Sequence, residues 1–86
     1  MRDIQFTPLA FEQYNEWQTI DKTVHNKILK LIIESTRTPF EGTGKPEALK
    51  HDLKGFWSRR INEEHRLVYR VEINFIKIIS CRLHYK

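Results

Sequence analysis

Hydrophobic positions first alternate in the segment Asp3–Thr7, where Ile4 and Phe6 fall two apart, a pattern that predicts a short strand. Thr7 followed by Pro8 then marks a helix start, a hydroxyl able to cap and a proline whose missing N–H costs nothing at the first helical position. Leu9, Ala10, Tyr14 and Trp17, with Phe11 nearby, recur at helical spacing and predict an apolar stripe for the first helix. Asp21 is a capping residue for a second helix after a very short connection, which predicts an antiparallel helical hairpin. Val24, Ile28, Leu31 and Ile32 form the buried side of that second helix, which must end before Pro39.

The period changes after an irregular stretch, Thr38–Pro46. Leu49, His51 and Leu53 alternate with Lys50 and Asp52, predicting a second strand that turns at Lys54-Gly55. Phe56–Ile61 and His65–Val71 read as the next two strands, joined by Asn62-Glu63-Glu64. Leu67, Tyr69 and Val71 fall on one face of the latter, with Arg66, Val68 and Arg70 on the other. Beyond Glu72-Ile73-Asn74, Phe75–Tyr85 reads as the longest strand, with Ile76, Ile78, Ser80, Arg82 and His84 sharing a face. Strands joined by such short turns are antiparallel. The expected architecture is α+β, in the order β-α-α-β-β-β-β, with the two-helix hairpin on one face of a mainly antiparallel sheet.

A chain of 86 residues predicts one domain, spanning residues 1–86, with a single modest core. No apolar run reaches the roughly 20 residues that span a bilayer, and the first residues lack a signal-peptide core. The single cysteine, Cys81, excludes an internal disulfide and fits a reducing cytoplasm. The net charge is +4, and the basic excess lies in the second half of the chain. Charge alone is weak evidence for a nucleic-acid partner.

With the hairpin on one face of the sheet, the other face is uncovered, and alternation places charges there. Arg60 and Arg66 lie on neighbouring strands across a tight turn, and Glu47 and Lys50 enter from the start of the second strand. Glu, His, Arg, Lys and Tyr without a Ser-His-Asp or Cys-His order suit cleavage of RNA by its own 2′-hydroxyl. That reaction needs a base for the hydroxyl, an acid for the leaving oxygen and cations for the phosphorane. The four histidines, His25, His51, His65 and His84, show no metal-ligand spacing, so neither a metal nor another cofactor is expected. The two glycines of TPFEGTGKP lack the spacing of a nucleotide-binding loop. Singly, each of these residues also has an ordinary explanation: Glu47 as a solvated acid after Pro46, His84 as an exposed imidazole, and Arg60 and Arg66 as partners of Glu63 and Glu64.

The run TPFEGTGKPEALKHDLKGFWSRRINEEHRLVYRV, with the terminal CRLHY, resembles the YoeB toxins, a branch of the RelE-type toxins of bacterial toxin–antitoxin systems. Trp17-Gln18 and Asp21-Lys22 fit the same pattern. The resemblance implies a RelE-like microbial ribonuclease fold and a metal-independent endoribonuclease that cuts messenger RNA in the ribosomal A site and halts translation. Carried over residue by residue, it implies Glu47 as general base, His84 as general acid and Arg66 as the transition-state cation. Lys50, Arg60 and Tyr85 match the positions that hold and orient the RNA. It further implies a cognate YefM-like antitoxin, operator DNA reached indirectly through the antitoxin complex, and a homodimer, with no membrane association. The chain departs from the pattern at Ala48, where the family has proline, and at Lys86, which follows Tyr85. Two other readings compete. A same-fold toxin acting on a protein target such as a gyrase would not need Glu47, His84 and Arg66 together. A non-catalytic RNA-binding module would use only the basic face.

Overall fold

The computed structural model describes residues 1–83. Strand β1 (Asp3–Phe6) leads into helix α1 (Pro8–Ile20), and helix α2 (Lys22–Arg37) follows after a single residue. Strands β2 (Glu47–Ala48), β3 (Phe56–Arg60), β4 (Arg66–Val71) and β5 (Phe75–Ser80) complete a five-stranded sheet in the order β1-β5-β4-β3-β2. β1 runs parallel to β5, and the other neighbours are antiparallel.

The caps expected from the sequence are formed. Thr7 Oγ1 accepts the Ala10 N–H at 3.1 Å ahead of Pro8. Asp21 serves both helices: its own N–H donates to the Trp17 carbonyl, and its carboxylate accepts the N–H groups of Thr23 and Val24 at 3.0 and 3.2 Å. Each helix is thereby tied to the one residue between them.

Ala10, Trp17, Ile28, Leu31 and Ile32 pack against Ile61, Leu67, Tyr69, Ile76, Ile78 and Cys81 to form the core. Phe6, Tyr14, Val24, Trp57 and Val71 pack around it. Both helices therefore cover the face of the sheet that carries Leu67 and Tyr69. Leu9 and Phe11 do not join the apolar stripe and stay more than half exposed. They lie one position either side of Ala10, about 100° around the helix from it, and the Phe11 ring meets the Phe6 ring at the end of β1, edge-on at 5.8 Å.

Two strands differ from expectation. Leu49–Leu53 is not a strand: pairing stops at Ala48, and His51–Leu53 forms one 3₁₀ turn, with His51 at φ 58°. Leu49 and Leu53 are four apart, a spacing that one helical turn satisfies as well as a strand does. β5 ends at Ser80, not Tyr85, and its register slips by one residue: Val68 pairs Ser80 while Tyr69 pairs Ile78. Ile79 is the extra residue, and it inverts the alternation. Ile76 and Ile78 are consequently buried under the helices, whereas Ser80 lies in register with Val68 on the opposite face. The single face expected to carry Ile76, Ile78, Ser80 and Arg82 does not exist.

Candidate functional site on the open face of the sheet

Cross-strand partners project to the same face of a sheet, so register locates the site. Glu47 pairs Ser58, Ser58 pairs Val68, and Val68 pairs Ser80, one row that crosses four strands. It lies on the face away from the helices. Arg60 pairs Arg66 on the same face, two residues along from Ser58 and Val68. With strands about 4.8 Å apart and about 3.4 Å per residue, the Cα atoms of Glu47 and Arg66 are about 12 Å apart.

Arg66 is half-buried as a residue, and its guanidinium folds back on the β3–β4 turn, where Nη1 donates to the carbonyls of Asn62 (2.7 Å), His65 (3.0 Å) and Glu63 (3.3 Å). It bonds backbone carbonyls, not the carboxylates of Glu63 and Glu64. Arg60 is exposed on its side chain and bound on its backbone, its N–H donating to the Gly44 carbonyl at 2.7 Å. Lys27, Lys45, Arg60 and Arg66, with Glu63, border a cleft of about 480 Å³ between α2, the loop after it and this turn. Four cations against one carboxylate give that cleft a positive potential. Glu47 and Lys50 border a separate hollow that runs down to Leu53. Two of the expected site residues, His84 and Tyr85, lie outside the described residues, as does Lys86. The structure thus brings Arg60 and Arg66 together and sets Glu47 on the same face.

Glu47 is positioned by the loop before it, and that loop is held from below by Arg59. This side chain has no exposed surface, yet every one of its five N–H groups has an acceptor. Nε donates to Tyr69 Oη at 3.1 Å. Nη1 donates to Glu34 Oε2 at 2.9 Å and to the Thr43 carbonyl at 3.1 Å. Nη2 donates to the carbonyls of Thr38 and Glu41. Tyr69 Oη passes the chain on to the Pro39 carbonyl at 2.6 Å. Glu34 also accepts the Thr43 N–H at 2.6 Å. That backbone bond, with the Arg59 guanidinium beside it, holds the Glu34 carboxyl below the ordinary carboxylate range, against partial desolvation. Burial pushes the Tyr69 hydroxyl above its ordinary value, so it stays a neutral donor.

The glycines of this loop work by proximity. A Cβ on Gly44, at φ 85°, would lie 2.9 Å from the Arg60 carbonyl oxygen, and one on Gly42, at φ 116°, would lie 1.9 Å from Glu34 Oε2. They seat the loop against β3 and α2, which is a different task from cradling a phosphate.

The segment after β5 is fastened just as closely. Cys81 N–H donates to Gln13 Oε1 at 2.8 Å, and its carbonyl accepts the Trp17 indole N–H at 3.0 Å. Arg82 reaches Glu16 at 3.4 Å and lies 5.8 Å from the Trp17 ring centroid. Burial pushes the Cys81 thiol up to about 12, leaving it an apolar filler and not a nucleophile. Neither the Arg59 hub nor these tethers was read from the sequence. The signal for Arg59 was its alternation with Trp57 and Ile61, which sets an arginine on the inward face of β3.

Among the described residues no group of three or more His, Cys, Asp or Glu side chains is placed to hold a metal ion, and no helix is long and apolar enough to cross a membrane.

The family model for the YoeB-like toxin of bacterial type II toxin–antitoxin systems matches residues 6–85. The chain is 57% identical to toxin YoeB of Escherichia coli K12 over 76 residues, covering 88% of this chain and 90% of that one. The YoeB dimer from Staphylococcus aureus superposes with a TM-score of 0.90 at 52% identity, covering 98% of each chain. The YoeB–YefM complex from Staphylococcus aureus gives a TM-score of 0.89 at 50% identity, covering 99% of each. Their shared architecture is two helices packed on a mixed five-stranded sheet, as here. With a family pattern spanning residues 6–85 and a fold that matches solved relatives end to end, the chain belongs to the YoeB-like toxins of bacterial type II toxin–antitoxin systems.

Proposed function

We propose that the chain is a ribosome-dependent endoribonuclease that cleaves messenger RNA in the A site through attack by the RNA's own 2′-hydroxyl. The observation that carries the reading is the open sheet face, where Glu47 shares a side with the cross-strand pair Arg60–Arg66. Membership of a toxin family that implies a ribonuclease supports it.

In this reading Glu47 takes the proton from the 2′-hydroxyl and His84 gives one to the departing 5′-oxygen. Arg66 leaves its turn carbonyls for the phosphorane oxygens, where its fixed charge stabilises the transition state. Arg60 and Lys50 bind the phosphates on either side, and Tyr85 orients the RNA. The protein works in the cytoplasm and needs no metal. A YefM-like antitoxin, which a relative from Staphylococcus aureus binds, neutralises it, and the pair reaches operator DNA through the antitoxin. Self-association follows the dimer formed by another relative.

The test adds purified protein to translating ribosomes and maps new 5′ ends. Cuts confined to the A-site codon, and lost in Glu47→Ala, Arg66→Ala and His84→Gln, are the expected result. Intact message on arrested ribosomes would replace the enzyme with a binding module.

A further inference from the structure

His65 is buried, with 7% of its surface exposed, and its position in the sequence marks it only as one histidine of four. Its Nδ1 accepts the Leu83 N–H at 2.7 Å. The next residue, Arg66, donates its own N–H to the Leu83 carbonyl at 3.2 Å. Both peptide groups of Leu83 are thus held by two consecutive residues at the start of β4. Leu83 meanwhile adopts φ 65°, a left-handed conformation that is uncommon for any residue other than glycine. His65 is itself fixed from below, its ring meeting the Trp17 ring edge-on at 4.8 Å. Because Nδ1 accepts a hydrogen bond, the ring proton sits on Nε2, which faces Glu64 Oε1 at 3.6 Å.

We propose that His65 is a positioning residue for cleavage: its Nδ1, together with the Arg66 N–H, latches Leu83 to the start of β4, and the residue bonded to Leu83 in the sequence is His84, read above as the general acid. The proposal rests on the reading of His84 as that acid. Arg66 belongs to the same latch through its backbone, so one pair of hydrogen bonds joins the strand carrying the cation to the segment leading to the acid. Catalysis is sensitive to placement at this scale, where a shift of about 1 Å costs on the order of a hundredfold. His65 is buried and is not among the residues read as holding the RNA, so its loss should act on the chemical step.

Two complementary variants test it. His65→Phe keeps a ring against Trp17 and removes the acceptor. His65→Asn loses the ring and keeps an acceptor, its Oδ1 standing in for Nδ1. The first measurement is hydrogen exchange of the Leu83 amide in ¹⁵N-labelled protein, which does not depend on activity. Exchange rises at least about tenfold in His65→Phe and stays within about twofold in His65→Asn. The second is single-turnover cleavage on translating ribosomes over a range of protein concentrations. The maximal rate falls about 10- to 100-fold in His65→Phe with half-saturation unchanged, and His65→Asn restores most of it. If His65→Phe melts early, His65→Gln, whose longer side chain misplaces the acceptor, replaces it. Fast exchange with an unchanged cleavage rate would overturn the positioning role, as would equal losses in both variants. Wild-type protein that leaves the message uncut would overturn the enzymatic reading instead, and the exchange result would still decide whether the latch exists.

Discussion

Arg59 and Glu34 meet at 2.9 Å beneath the loop that precedes Glu47, the guanidinium wholly buried and the carboxylate a third exposed. A cation in that position is tolerable only because carbonyls and a hydroxyl complete its hydrogen bonds. The pair spans α2 and β3, and the loop from Thr38 to Thr43 is wrapped around it. It does for this irregular segment what a small apolar core does elsewhere.

Replacing Arg59 by Leu should therefore cost more than a surface arginine would. It strands three loop carbonyls and the Glu34 carboxylate at once, and about 3 kcal/mol or more of stability should be lost. Urea denaturation followed by circular dichroism measures it. Arg60→Leu, one residue away and exposed, should change the midpoint little.

Glu34 gives the same network a pH dependence. Its folded-state carboxyl titrates below the ordinary 4.5, so the unfolded chain binds the proton more readily. Stability from this group is fully present above that ordinary value and is lost as pH falls through the lower folded value. Thermal melts from pH 6 down to pH 3 should show a steeper fall in wild type than in Glu34→Gln.

Glu47→Gln should abolish cleavage of ribosome-bound message by about 10²- to 10⁴-fold, the usual range for a lost general base. The side chain is exposed on a two-residue strand, so the melting temperature should move little. A variant that still cuts at the wild-type rate would remove Glu47 from the mechanism.

Cys81 should resist thiol reagents. With its thiol pushed up to about 12 and its surface fully covered, iodoacetamide at pH 8 should label it only after denaturation. Mass spectrometry of native and urea-treated protein distinguishes the two outcomes.

The helical half of the fold was legible because its signals are local. Thr7-Pro8 and Asp21 each satisfy N–H groups within three residues of themselves, and the stripe Ile28-Leu31-Ile32 repeats over more than a turn. The strands were legible where alternation was long enough, as in Arg66–Val71. The register slip at Ile79 was not, because a single extra residue leaves no mark in a run as apolar as Phe75–Ile79. The 3₁₀ turn at His51 reads as a strand in the sequence because Leu49, His51 and Leu53 are too few positions to separate the two. Arg59 and His65 are hidden in the sequence for a different reason. Their partners, Glu34 and Leu83, lie 25 and 18 residues away, and only the folded chain brings them together.

The parallel pairing of β1 with β5 sets Asp3 beside Phe75, so that the first and last strands in chain order are joined across most of the sequence. A chain growing from its N-terminus has both helices long before it has the strand they rest on. Ala10 and Trp17 wait for Ile76, Ile78 and Cys81, and β1 has no neighbour until β5 exists. Contacts of that separation form slowly and late. The fold thus carries its own delay: until Phe75–Ser80 is available, β1 has no neighbour in the sheet and the helices lack Ile76 and Ile78 beneath them.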